Sequence, residues 1–130
     1  MTFLIDTHCW LWWIESPERL SNQALDLIRR GENTVLFSAA SSWEIAIKYA
    51  IGKIHLPEAP EEFIPKRVAR DSFTTIPIEH THAIHTASLP MHHSDPFDRL
   101  LIAQAQLENV PILTADPKIE HYSVNVIRGV

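Results

Sequence analysis

Four carboxylates far apart in the chain, Asp6, Glu44, Asp98 and Asp116, stand where an acid can be presented to a ligand. Asp6 directly follows the apolar run Phe3-Leu4-Ile5, and Asp116 follows Ile112-Leu113-Thr114-Ala115. Glu44 and Asp98 fall in the first turns of segments with helix-start signals, Ser41-Ser42-Trp43-Glu44 and Asp95-Pro96-Phe97-Asp98. Each has an ordinary explanation. Asp6 and Asp116 suit N-caps, the latter with Pro117 behind it. Glu44 lies three residues after Ser41, as in a capping box, and Asp98 can offset a helix dipole. Taken singly, these explanations suffice. They do not explain why all four acids fall at one edge of the expected fold.

Two ionised carboxylates about 5 Å apart, at an effective dielectric of about 20, repel by about 3 kcal/mol. A cluster of all four would cost a sizeable part of a domain's stability unless protons or a cation occupied it. Oxygen ligands of this kind suit Mg²⁺ or Mn²⁺, which reach substrate phosphates through one or two carboxylates while keeping waters. That is machinery for phosphodiester hydrolysis. An aspartyl-phosphate phosphatase would want a second acid two residues after the first, where this chain has His8.

The elements that must position these acids can be read from periodicity, proline and the three glycines. Strands are expected at Phe3-Leu4-Ile5, Thr34 to Phe37, Thr75 to Ile78, Pro111 to Thr114 and Val124 to Ile127. Proline inside the third marks it as an edge strand. Helices are expected at Ser21 to Arg30, Ser41 to Ile51, Glu61 to Arg70, Thr81 to Ser88 and Asp95 to Asn109, with a short Trp-rich turn at Trp10 to Ile14. Leu100-Leu101-Ile102-Ala103 is apolar on nearly every side, so that helix should lie buried against the sheet. Short strands without polar alternation, alternating with helices, point to an α/β fold with a mainly parallel central sheet covered on both faces. In such a sheet ligands gather beyond the carboxyl ends of the strands, the edge that the four acids share.

Other residues divide between structure and chemistry. Asp95 before Pro96 reads as a helix cap. Thr114, and less directly Thr7 and Ser38, can orient water or a carboxylate, with strand-end hydrogen bonding the simpler reading for Ser38. Arg99 can neutralise the acids, touch a phosphate or form a structural ion pair. Lys48 and Lys53, on and just after the Glu44 helix, are candidates for contacts to a phosphodiester backbone. His80, His82, His85, His92 and His93 suggest zinc, but there is no HExxH pattern and a zinc site would leave the four acids unaccounted for. Trp10, Trp12 and Trp13 suggest a subunit or partner surface.

At 130 residues, 45% apolar and 21% charged, the chain reads as one domain spanning residues 1–130. The lone Cys9 excludes an internal disulfide and reads as a core thiol, and the absence of a long apolar run suggests a cytoplasmic protein. A net charge of −5 excludes binding to nucleic acid by bulk charge alone, although Lys48, Lys53, Lys66, Arg67 and Arg70 form a local basic cluster.

The stretches LIDTH, SSWEIAIKYAIGKIHLP, HHSDPFDRLLIAQA and ILTAD, in this order and spacing, resemble the PIN-domain family in its branch of VapC-type toxins. The resemblance covers essentially the whole chain. It implies a three-layer α/β/α fold and a Mg²⁺- or Mn²⁺-dependent endoribonuclease that cuts by water attack, leaving 5′-phosphate and 3′-hydroxyl ends. It maps the family's acidic quartet onto Asp6, Glu44, Asp98 and Asp116, and its nearby hydroxyl onto Thr114. It further implies a cognate antitoxin and a homodimer. The competing expectation is a non-catalytic partner-binding module in which the acids serve only as helix caps.

Overall fold

The apolar runs form five strands in a computed structural model that describes residues 1–130. They are β1 (Thr2–Ile5), β2 (Thr34–Ser38), β3 (Thr74–Ile76), β4 (Ile112–Thr114) and β5 (Val126–Arg128). All neighbours pair in parallel, in the order β3-β2-β1-β4-β5. The chain therefore builds outward from β1 through β2 to β3, then crosses back to lay down β4 and β5. The reversal leaves a crevice beyond the carboxyl ends of β1 and β4, the place where open parallel sheets bind ligands.

Six α-helices cover the sheet: α1 (Thr7–Glu15), α2 (Asn22–Arg29), α3 (Ala39–Ala50), α4 (Pro60–Arg70), α5 (His80–His85) and α6 (Pro96–Glu108). Alternation along the strands sorts the core into two layers. Phe3, Ile5, Val35 and Phe37 meet Cys9 and Trp10 of α1, Ala24 and Ile28 of α2, and Ile64 and Val68 of α4. Leu4, Leu36 and Ile112 meet Leu100 to Ala103 of α6 on the other face. The three-layer α/β/α architecture is the one the sequence leads one to expect. None of the helices is long and apolar enough to cross a membrane.

Several boundaries move for identifiable reasons. The expected Trp-rich turn is the full helix α1, because Asp6 caps it by accepting the Cys9 amide. Helix α3 starts at Ala39 rather than Ser41, since Ser38 at the strand end caps it through the Ala40 amide. Gly52, at φ 77°, follows its end in the left-handed region that favours glycine. The expected helix over Thr81 to Ser88 is α5 followed by a 3₁₀ turn at Thr86–Ser88. Helix α4 begins at Pro60 and accommodates Pro65 within it. Strand β3 ends at Ile76, before Pro77, and lies at the sheet edge. The last strand shifts to Val126–Arg128, paired with β4.

The tryptophan expectation needs correction. Trp10 is no partner surface: it is fully buried, its ring 4.8 Å from that of Phe37 and 6.3 Å from that of Phe63. A helix that caps at Asp6 turns position 10 inward. Trp12 and Trp13 stay partly exposed, beneath the guanidinium groups of Arg19 and Arg29.

The carboxyl-terminal strand closes over α1 at one tight point. A β-carbon on Gly129 would come 2.7 Å from Cys9 Sγ and 3.4 Å from the Thr114 backbone. Gly129→Ala is therefore expected to destabilise the fold by about 1–3 kcal/mol. Adding Cys9→Ala should return part of that loss. Urea unfolding of the two variants tests this; a Gly129→Ala chain as stable as the parent would contradict the close approach.

Candidate metal centre

Each acid of the quartet is delivered by a separate element. Asp6 sits one residue past β1, Glu44 in the second turn of α3, Asp98 in the first turn of α6, and Asp116 two residues past β4. Asp6 and Glu44 are almost wholly buried. Asp98 feels the charges of Asp95, Asp6, Glu44 and Asp116, so the quartet converges at the sheet crevice. Burial first, and these neighbouring carboxylates second, push its pKa up to about 8. Burial also raises the Asp6 pKa, against the opposing effects of hydrogen bonds from Thr114 and Cys9.

The helix-cap explanations prove compatible with this convergence. Asp6 Oδ1 accepts the Cys9 amide at 2.8 Å, and Asp116 Oδ1 accepts the Lys118 amide at 2.9 Å, so each caps a turn while standing in the cluster. The cap expected between Glu44 and Ser41 does not form. The Ser41 hydroxyl instead meets that of Thr7 at 2.8 Å, joining α3 to α1. Asp95 is the N-cap of α6, its Oδ1 accepting the Phe97 and Asp98 amides.

Around the acids the polar groups are unequally satisfied. Glu44 Oε2 takes the Lys48 ammonium at 2.6 Å, whereas its Oε1 is buried without a hydrogen-bond partner. Such an orphaned carboxylate oxygen is costly and invites a cation or proton. Thr114 Oγ1 accepts the Asp116 amide at 3.0 Å, and the same hydroxyl acts to lower the Asp6 pKa, so it stands beside the acids that follow both β1 and β4. The donor set is rich in oxygen and holds one imidazole: His93 Nε2, Asp98 and Asp116 offer ligand atoms all within 4.8 Å of one another. Residues of this kind fit a divalent cation.

The contacts of two surrounding residues differ from expectation. Lys48 is engaged with Glu44, four residues before it on α3, and is not free of partners. The Arg99 guanidinium turns away from the acids and donates to the carbonyls of Pro90, His93, Thr86 and Leu89, clamping the loop before α6. It therefore forms no ion pair with Asp98. Lys53 lies exposed just beyond α3. Ser38, as expected, does strand-end work, capping α3 and donating to Gln104 of α6 at 2.5 Å.

The histidines do not gather into a zinc site. His82 accepts the Glu79 amide at Nδ1 and meets Glu108 through Nε2, while His85 meets Gln106. His92 packs edge-on against Tyr122. His93 alone reaches the acids, 2.8 Å from Asp116 Oδ2 and 3.0 Å from Asp98 Oδ2. Sequence reasoning missed it as a site residue. Its available signal was a position two residues ahead of the Asp95 cap, on the loop that leads into the Asp98 helix.

Comparison with known proteins identifies the family and the fold. The family model described as the PIN domain matches residues 3–125. Over 64 residues the chain is 36% identical to ribonuclease VapC16 of Mycobacterium tuberculosis, a stretch covering 49% of this chain and 45% of that protein. The chain thus matches less than half the length of that relative. Among solved structures, VapBC2 from Rickettsia felis bound to a DNA fragment from their promoter is similar at a TM-score of 0.76 and 16% identity, covering 100% of both chains. A toxin-antitoxin complex from Klebsiella pneumoniae is similar at 0.64 and 19% identity, covering 95% of this chain and 94% of that one. At those identities the likeness is one of fold. The family match spans nearly the whole sequence, and the chain belongs to the PIN-domain family.

Proposed function

We propose that this protein is a metal-dependent endoribonuclease, the toxin of a type II toxin–antitoxin pair, using Asp6, Glu44, Asp98 and Asp116 to hold Mg²⁺ or Mn²⁺. The observation that carries this reading is the concentration of negative charge at the crevice: the carboxylates around Asp98 help to hold its proton to about pH 8. One neighbouring ammonium, that of Lys48, sits on Glu44, and the other Glu44 oxygen remains unpartnered. A bound divalent cation would supply Lewis-acid charge toward water and phosphate.

The chain's own residues prepare that chemistry. Burial of Asp6 and Glu44 keeps the field of the acids from being screened. Thr114 holds the Asp116 segment through the amide it accepts, and its hydroxyl favours the ionised form of Asp6. Lys48 neutralises one oxygen of Glu44, and the other, buried and unpartnered, would be free to meet a cation. Lys53 is the free basic group near the end of α3, suited to the RNA backbone. An antitoxin partner is supported by the related toxin-antitoxin complex, and a homodimer and cytoplasmic location accompany the same reading. Cap duty alone does not account for the buried, unpartnered Glu44 oxygen, which favours the enzyme over a non-catalytic module.

Mn²⁺-dependent cleavage of structured RNA by the purified chain is expected to leave 5′-phosphate and 3′-hydroxyl ends. It should fall to background in an Asp6→Asn, Asp98→Asn double variant. Equal cutting by the double variant would contradict the quartet, and 2′,3′-cyclic phosphate ends would contradict attack by water.

A second expectation concerns pH. Asp98 ionises near 8 in the folded chain against 3.8 in its ordinary state, so across that window the folded protein holds a proton that the unfolded chain has released. Stability contributed by that proton is present at low pH and is lost as pH rises through about 8. Thermal unfolding of the metal-free protein should therefore occur at falling temperature across this window, less steeply in Asp98→Asn. Saturating Mn²⁺ should stabilise most at the alkaline end. A slope unchanged by Asp98→Asn would contradict the raised pKa.

A further inference from the structure

His93 is held by contacts that the proposed chemistry has not used. Its Nε2 lies between two carboxylates supplied by different elements, 3.0 Å from Asp98 Oδ2 in α6 and 2.8 Å from Asp116 Oδ2 beyond β4. Spacing alone would admit it as a nitrogen ligand in a mixed imidazole and carboxylate centre. The other side of the ring decides otherwise. The backbone N–H of Asp95 donates to His93 Nδ1 at 3.1 Å. A ring nitrogen that accepts a hydrogen bond carries a lone pair, so the hydrogen-bond network assigns the proton of this ring to Nε2. Nε2 then has no lone pair to give a metal, and Nδ1 faces the α6 cap instead of the crevice.

We infer that His93 is a positioning residue of the acidic centre, whose Nε2–H is shared between Asp98 and Asp116 and sets their separation, and that it is not a ligand of the cation. This rests on the metal-dependent reading of the same site. Without such a donor, the two carboxylates would repel across a gap that no covalent connection spans. The ring itself is firmly placed. The Asp95 amide that orients it belongs to the N-cap residue of α6, followed by Pro96. The His93 amide donates to the Tyr122 hydroxyl at 2.8 Å, and its carbonyl accepts from Arg99 at 3.3 Å. The duty of Arg99 follows from this: by holding the loop carbonyls, it fixes the imidazole whose N–H spans the acids. The His93 side chain is only 11% exposed.

The test titrates Mn²⁺ without RNA into the full chain, His93→Gln and His93→Ala, following the free-ion electron paramagnetic resonance signal. Pulsed spectra of the bound ion with ¹⁵N-labelled histidine report any directly bonded ring nitrogen. Loss of the donor in His93→Ala should weaken Mn²⁺ binding about tenfold or more, the usual consequence of losing a hydrogen-bond partner of a ligating side chain. His93→Gln, which keeps an N–H, should recover most of that loss, and the parent should show no directly bonded nitrogen. A bonded nitrogen that vanishes in a His93 variant would make the residue a ligand and overturn the inference. Equal Mn²⁺ affinity in all three chains would also overturn it, reducing the ring to packing. Should His93→Ala not fold, the glutamine variant and the nitrogen spectrum decide. If the affinities follow the expected order but no chain cuts RNA, the nuclease reading fails and the role of His93 stands. If the parent binds no Mn²⁺, both fail.

Discussion

Repulsion among carboxylates in a crevice that buries Asp6 and Glu44 almost completely is the constraint around which this protein is arranged. The sheet topology creates the crevice, because the chain reverses direction beside β1 and leaves the ends of β1 and β4 without a crossover above them. Into that gap four elements project acids, and Asp98 registers the sum of their fields. The neighbours respond in different ways. Lys48 places an ammonium on Glu44, the Cys9 amide donates to Asp6, and His93 bridges Asp98 to Asp116. These contacts relieve only part of the charge. The proposed divalent ion is what would balance the remainder.

Much of the scaffold serves to hold the acids in register. Helix α6 is buried from Leu100 through Ala105, which fixes the axis on which Asp98 rides. Gln104, fully buried in that helix, accepts from Ser38 and donates to the Pro77 carbonyl. Ser38 in turn caps the helix that carries Glu44, so one polar chain ties the mountings of two acids together. Burying such a chain is tolerable because its members are paired. Asp6 and Asp116 combine two duties, capping local turns with one oxygen while taking part in the cluster.

The fold and the convergence of the acids were legible because both follow from periodic features. Apolar runs ending in a carboxylate, helices opening on one, and a parallel sheet together place all four at the same edge. The failures lie where tertiary contacts choose among locally equivalent outcomes. Lys48, singled out for its place on the Glu44 helix, also had an i,i+4 partner in Glu44, and the two pair. Arg99 beside Asp98 looked like an ion-pair partner, but a helix turns successive side chains about 100° apart, and its guanidinium meets loop carbonyls. Trp10 looked like part of a surface because its neighbours Trp12 and Trp13 share its type, while the cap at Asp6 decides which of them faces the core. The role of His93 depends on which ring nitrogen meets which atom, and no sequence spacing encodes that choice.

The central claim, that this negative charge is gathered for a divalent ion, is most directly tested by anomalous diffraction from crystals of the full chain grown with Mn²⁺. The expected result is a manganese peak in bonding distance of carboxylate oxygens of Asp98 and Asp116, on the side of the crevice where Asp6 and Glu44 lie. A crevice without manganese under saturating conditions, or manganese bound only at exposed histidines, would contradict it.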